Sequence, residues 1–197
     1  TLPAIMRREG VDMWVVPMRE YNEDPVFTAI TSPTTFAARR RTIYVFFDRG
    51  AAGIERIALG GTSQGNVFKA VRSMKAVSAP AAGSRSTDRQ AELWGDEQWN
   101  ILKQVIEERQ PKKIAVNTSR TFAFADGLAS GERDGMLQAL GPVWAAKVVP
   151  AEALAVDLVA ARQPEEEAMF RELNRVAWEI IQEAFSNKVI TPGVTKA

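Results

Sequence analysis

The sequence contains no cysteine and no histidine in 197 residues. Without cysteine there is no disulfide framework and no thiolate nucleophile. That fits the cytoplasm and is compatible with the periplasm as well. The absence of histidine removes the commonest general acid/base and the commonest transition-metal ligand. Ser-His-Asp triads, imidazole-zinc sites and histidine-based phosphoryl transfer are therefore excluded within these residues. Catalysis from this chain would need carboxylates, lysine, tyrosine or a Ser–Lys pair. No apolar run approaches the roughly 18 residues of a membrane span. Net charge is +1, so no global field draws the chain to nucleic acid or to an anionic membrane. The first residue is Thr1, and the missing signal peptide says nothing about compartment.

What is present is ordinary for a soluble domain: 46% hydrophobic and 25% charged residues. The length suits one full domain and part of a second. Leu2–Arg8 reads as a short helix ended by Gly10. The apolar run Val11–Val16 reads as a buried strand stopped by Pro17. A long polar loop follows. Arg41–Phe47 is β-branched and aromatic, a second strand; Arg49–Gly53 turns the chain into a third, Ile54–Gly60, antiparallel to it. A short element is expected near Val67–Met74, a loop at Ala79–Ser86, and a capping box at Thr87 and Gln90 that starts a helix bent at Gly95. Trp99, Leu102, Val105 and Ile106 carry the helical stripe. Lys112–Asn117 is a strand, Phe122–Leu140 one or two helices ended by Gly141-Pro142, Val143–Val149 a strand, and Ala151–Arg162 a helix. Hairpin pairing early and strand–helix alternation late predict an α/β fold, a mixed sheet flanked by helices.

The pattern then changes. Pro164 suits a first helical position, and Glu165, Glu166 and Glu167 suit the positive end of a helix dipole. Met169, Leu173, Val176, Ile180 and Ala184, with Phe170, Ala177 and Ile181 beside them, make an amphipathic helix of about six turns. Its apolar face needs a partner that the first domain does not require.

Several short motifs suggest chemistry. Gly60–Gly65 ("GGTSQG") resembles a phosphate cradle but lacks the following Lys-Ser/Thr, so it reads as a turn. Glu165, Glu172, Glu179 and Glu183 share a helix face without histidine; with Glu167–Arg171 and Glu172–Arg175 they read as a solvated, ion-paired surface. Ala38–Thr42 ("ARRRT") reads as a charge cluster holding a strand end in water, or as a carboxylate-binding or interface group. Arg19–Pro25 ("REYNEDP") follows a strand, where α/β sheets place binding loops. Asn117–Ser119 forms a glycosylation sequon that reads as coincidence. The five tryptophans are scattered and read as packing residues.

Three stretches carry a resemblance. "VDMWVVPMREYNEDPVF" with "ARRRTIYVFFD", "PKKIAVNTSRTFAFADGL", and "DLVAARQPEEEAMFRELNRVAWEIIQEAFSNKVITPGVT" together resemble the N-terminal part of the creatinase/prolidase/Xaa-Pro aminopeptidase family of "pita-bread" metallopeptidases. The likeness covers Val11 to Thr195. It implies a non-catalytic N-terminal domain over residues 1–162, and over residues 163–197 the first helix and turn of a catalytic domain. The resemblance also implies two divalent metals (Mn, Co or Zn) in the full-length protein, held by two Asp, one His and two Glu downstream of "PGVT". None of these ligands has a counterpart here, so this chain is expected to carry no cofactor and to be inactive alone. Lys196-Ala197 departs from the family's continuation after that turn.

The implied partners are a second copy in a homodimer, the chain's own catalytic domain, and a short proline-containing peptide as the full-length substrate. No nucleic acid and no membrane span are expected. In the family a loop of the N-terminal domain narrows the partner's active site. The residues expected to do so here are Arg19, Tyr21 and Asn22, with Arg39, Arg40 and Arg41 as a second group. A creatinase-like C–N hydrolase, or a stand-alone α/β binding or dimerisation module, are the alternatives.

Overall fold

The stretches Met13–Val16, Ile43–Phe47 and Ile114–Val116 are too uniformly hydrophobic for a sheet with one wet face, and in the structure both faces are covered. The computed structural model describes residues 1–59, 63–71 and 95–196. It divides into two units, Thr1–Val159 and Ala160–Ala197.

In the first unit, strands β1 (Met13–Arg19), β2 (Arg41–Asp48), β3 (Ile54–Leu59), β4 (Lys69–Val71), β5 (Ile114–Val116) and β6 (Val148–Pro150) form one sheet in the order β4-β3-β2-β1-β5-β6. The pairs β1/β2 and β2/β3 are antiparallel; β1/β5, β5/β6 and β3/β4 are parallel. The expected α/β class, with a mixed sheet flanked by helices, is what the chain adopts.

Period-two alternation sends successive side chains into two separate cores. On one face Trp14, Val16, Tyr44 and Phe46 pack with helices α1 (Leu2–Arg8), α2 (Phe27–Ile30) and α5 (Glu152–Ala160). Trp14 stacks on Phe46 with ring centroids 5.2 Å apart, and Phe68 closes the group against Tyr44 at 4.8 Å. On the other face Met13, Val15, Ile43 and Val45 meet α3 (Glu97–Arg109) and α4 (Ser130–Ala145). The helical stripe on α3 is correctly placed: Trp99, Leu102, Val105 and Ile106 are all buried. Arg109, at the end of α3, holds Glu55 of β3 through two hydrogen bonds of 2.8 Å.

Three local expectations are corrected. Pro17 does not stop β1, which continues to Arg19. Pairing with β5 ends at Val15, so Pro17 sits where β1 has β2 on one side and no further β5 pair on the other, a position in which a missing N–H is tolerated. Gly141-Pro142 does not end α4 either. Gly141 takes φ 74° and ψ 172°, a conformation that suits glycine, and Pro142 restarts the helix across the kink. Val143–Ala145 are therefore helical, and the last strand is confined to Val148–Pro150 instead of Val143–Val149. Phe122–Leu140 resolves into a 3-10 turn at Ala123–Ala125 and the start of α4. The loop at Ala79–Ser86 and the capping box at Thr87 lie outside the described residues.

The second unit starts with a 3-10 turn at Pro164–Glu166, where Gln163 N–H donates to Glu166 Oε2 at 2.8 Å. Helix α6 (Glu167–Ala184) follows. Arg171 pairs with Glu167, and Arg175 with both Glu172 and Glu179, so the charged face forms as the spacing predicts. No residue of α6 is buried; Leu173 is 54% and Ile180 64% exposed. The terminal turn closes on itself, with Thr191 N–H donating to Thr195 Oγ1 at 2.8 Å and Gly193 at φ 78°. Among the described residues no helix is long and apolar enough to cross a membrane.

The two units should respond differently to truncation. Leu102→Ala in the sheet core should cost about 2–5 kcal/mol. Leu173→Ala, on the exposed face of α6, should change stability by no more than about 0.5 kcal/mol. Urea unfolding followed by tryptophan fluorescence measures both.

Candidate functional site

The carboxyl ends of β1, β5 and β6 and the start of β2 share one edge of the sheet, where β1 has an antiparallel neighbour on one side and a parallel one on the other. Such a switch point leaves strand-end loops diverging, which is where α/β sheets bind ligands. All six residues singled out from the sequence lie at this edge. Arg19 is the last residue of β1, in register with Arg41.

Beyond Arg19 the chain turns tightly. Asn22 N–H donates to Arg19 O at 3.0 Å, and Glu20 N–H donates to Arg40 O at 2.7 Å. The geometry forces Tyr21 to φ 67° and Arg40 to φ 55°, left-handed conformations that cost a non-glycine residue about 1–2 kcal/mol. Tyr21 is 94% exposed at the tip. Arg19, Glu20 and Asn22, with Ala129, Gly131 and Glu132 from the start of α4, line an open groove of about 440 Å³. Arg39 and Arg40 are exposed on the approach to β2 and do not line that groove.

Arg41 behaves otherwise. A strand end kept in water was the expectation for the basic cluster, and for Arg41 the structure overturns it: the residue is buried. Its Nε donates to Glu132 Oε2 at 2.5 Å, Nη2 to Glu132 Oε1 at 3.0 Å and Nη1 to Gly95 O at 2.7 Å. The guanidinium lies 4.8 Å from the Trp99 ring centroid, and its backbone carbonyl accepts from Gln98 Nε2 at 2.9 Å. A planar, bidentate guanidinium tolerates this burial because every face has a partner. Gly135 supports the arrangement, since a Cβ there would sit 3.1 Å from Trp99 Nε1. Arg19 reaches the same carboxylate more loosely, at 3.7 Å. Glu132 is thus shared between an internal cation and one at the groove.

A second polar cluster lies behind the turn, and sequence reading missed its central member. Asp24 is 2% exposed. Its Oδ1 accepts from Val26 N–H at 3.0 Å and from Asn117 Nδ2 at 2.9 Å, while Asn117 Oδ1 accepts from Trp14 Nε1 at 2.8 Å. Asp24 Oδ2 has no hydrogen-bond partner among the described residues. It faces Gly127, where a Cβ would fall well inside contact distance of that oxygen and 2.7 Å from Pro25 Cδ. Burial pushes the Asp24 carboxyl up to about 6; the bonds from Val26 and Asn117 oppose this, and Asp126 adds to it. The available signal was an Asp-Pro pair after a strand, paired with an Asn at the end of the neighbouring strand. The same geometry settles the sequon, because a fully buried Asn117 with both amide atoms engaged cannot carry a glycan.

Other motifs resolve into structure. Gln64 of the glycine-rich segment donates to Tyr44 Oη at 2.7 Å; Gly60, Gly61 and Thr62 lie outside the described residues. Trp14, Trp99 and Trp144 are core residues and Trp178 is exposed, while Trp94 lies outside the described residues. Among the described residues, no group of three or more His, Cys, Asp or Glu could hold a metal ion. What the groove offers is Arg19 beside the start of α4, an arrangement suited to orienting a carboxylate or a carbonyl.

Neither a protein-family model nor a curated protein matches this chain.

Two outcomes test the clusters. Glu132→Ala leaves the buried Arg41 uncompensated and should cost about 3–5 kcal/mol, whereas the double change Arg41→Met with Glu132→Leu should cost less than the sum of its parts in urea unfolding. For Asp24, a folded value of about 6 above the ordinary 3.8 means that its stabilising share is complete below pH 3.8 and is lost as pH rises through about 6. Asp24→Asn removes that loss. It should therefore be close to neutral at pH 3.5 and more stable than the parent by about 3 kcal/mol at pH 7.5, measured by urea unfolding at both pH values.

Proposed function

We propose that this chain is the N-terminal part of a metallopeptidase of the creatinase/prolidase/Xaa-Pro aminopeptidase type. Residues 1–162 form its non-catalytic α/β domain, and residues 163–197 the first helix and turn of its catalytic domain. The observation that carries this reading is the junction. An Arg-Gln-Pro-Glu-Glu start leads into α6, whose apolar stripe is exposed, and then into the closed Thr-Pro-Gly-Val-Thr turn. An apolar stripe of that size on a charged helix is an interface awaiting its cover. In the proposed assembly the catalytic domain provides that cover, together with the two divalent metals and their ligands.

The N-terminal domain then acts by position. It supports a homodimer, and its strand-end turn at Arg19, Tyr21 and Asn22 narrows the peptide-binding cleft. Tyr21 suits this role, since a rigid, exposed aromatic on a strained turn presents contact area with little freedom to lose. Arg39 and Arg40 flank it. Arg41 serves by holding β2 against α4 through Glu132. The proposal rests on likeness of sequence and on the exposed helix, and the fold class alone carries no function.

The 197-residue chain should show no chelator-sensitive cleavage of Xaa-Pro dipeptides when supplied with Mn, Co or Zn. Metal-dependent turnover by the purified chain would overturn the assignment of catalysis to a separate domain. Sequencing the gene beyond Ala197 supplies the second arm: the reading requires an Asp, Asp, His, Glu, Glu series there.

A further inference from the structure

The loop from Arg19 to Phe27 is tied down at two points with different chemistry. At its outer end the ties are backbone hydrogen bonds among Arg19, Asn22, Glu20 and Arg40, none of which titrates. Glu23 also bonds outward, accepting from Ala38 N–H at 3.1 Å. At its inner end Val26 and Phe27 are buried in the core, and the polar tie is a single side chain. Asp24 Oδ1 collects the amide of Val26, from its own loop, and the amide of Asn117, from the end of β5. Through Asn117 the tie continues to the Trp14 indole in the middle of the sheet.

The other oxygen of the same carboxyl is the weak point. Oδ2 is buried, has no donor among the described residues, and lies close against Gly127. A carboxylate with one oxygen in that environment gains if the loop lifts and admits water, because a buried unsatisfied charge is costly. A neutral carboxyl gains much less. Asp126, in the segment before α4, is the charged group that acts on Asp24, and it too disfavours the ionised form. Asn117, which donates to it from just after β5, is neutral, as are Trp14, which donates to Asn117 from β1, and Val26, Pro25 and Gly127.

We propose that Asp24 is a proton-operated latch on the loop that carries Arg19, Tyr21 and Asn22: with its proton the loop is held against β5, and without it the loop opens more readily while the sheet stays intact. The latch rests on this buried cluster and not on the peptidase reading; it would stand if that reading failed. The carboxyl value of about 6 against an open 3.8 sets its scale, an opening equilibrium that rises by about 50-fold between pH 4 and pH 7.

The test is amide hydrogen exchange on the intact chain at several pH values, divided by intrinsic rates, with Val26 reporting on the loop and Val45 on the centre of the sheet. The protection of Val26 should lie below that of Val45 at both pH 4 and pH 7, should fall by about 50-fold between them, and in Asp24→Asn that fall should vanish. A pH-independent Val26 in the parent chain would overturn the latch. So would an undiminished fall in Asp24→Asn, or protection of Val26 equal to that of Val45 at both pH values, which would make Asp24 a determinant of global stability only.

Discussion

Everything in the first unit depends on β1 being buried on both faces and paired on both edges. Over Met13–Val15 it bonds to β2 on one side and β5 on the other, so it joins the antiparallel half of the sheet to the parallel half. Its side chains alternate between two cores, with Trp14 and Val16 in one and Met13 and Val15 in the other. A central strand of this kind cannot shift by one residue without exchanging the contents of both cores. The register therefore fixes where β1 ends, and Arg19 and the turn after it are delivered to the switch-point edge with little freedom.

Two buried polar clusters secure that edge, one on each side of the sheet. Arg41 and Glu132 tie the start of β2 to α4, while Asp24, Asn117 and Trp14 tie the loop after β1 to β5. They differ in completeness. The Arg41 guanidinium donates to Glu132 and to a backbone carbonyl and lies against an aromatic ring, so little is left unsatisfied. Asp24 satisfies one oxygen and leaves the other without a partner among the described residues. Satisfied buried networks specify a single geometry, whereas incomplete ones leave a place where the structure yields. Rigidity and looseness thus meet within a few residues of Tyr21.

The class of fold was legible because hydrophobic runs and the α3 stripe are strong signals, and the charged face of α6 followed from four-residue spacing. Pro17 and Pro142 misled for a common reason: proline reads locally as a stop, yet each sits where its missing N–H costs little, beyond the β5 pairing in one case and at the restart of a kinked helix in the other. Arg41 was visible as part of a basic cluster, but its burial depends on Glu132, distant in sequence, and no local pattern states that pairing. Asp24 was hidden similarly. Its environment is made by Asn117 and Gly127, and a loop aspartate before proline usually signals only a turn.

The second unit poses the opposite problem, a well-formed helix with an apolar side and no burial. The account treats the sheet unit as self-sufficient and α6 as a surface made to be covered from outside its own unit. Native-state hydrogen exchange on the purified monomer tests this most directly. The account predicts that amides of β1 and β2 exchange only through global unfolding, while those of Leu173–Ile180 exchange through local opening and far faster. Protection of α6 equal to that of the sheet core, in a chain proven monomeric, would contradict it.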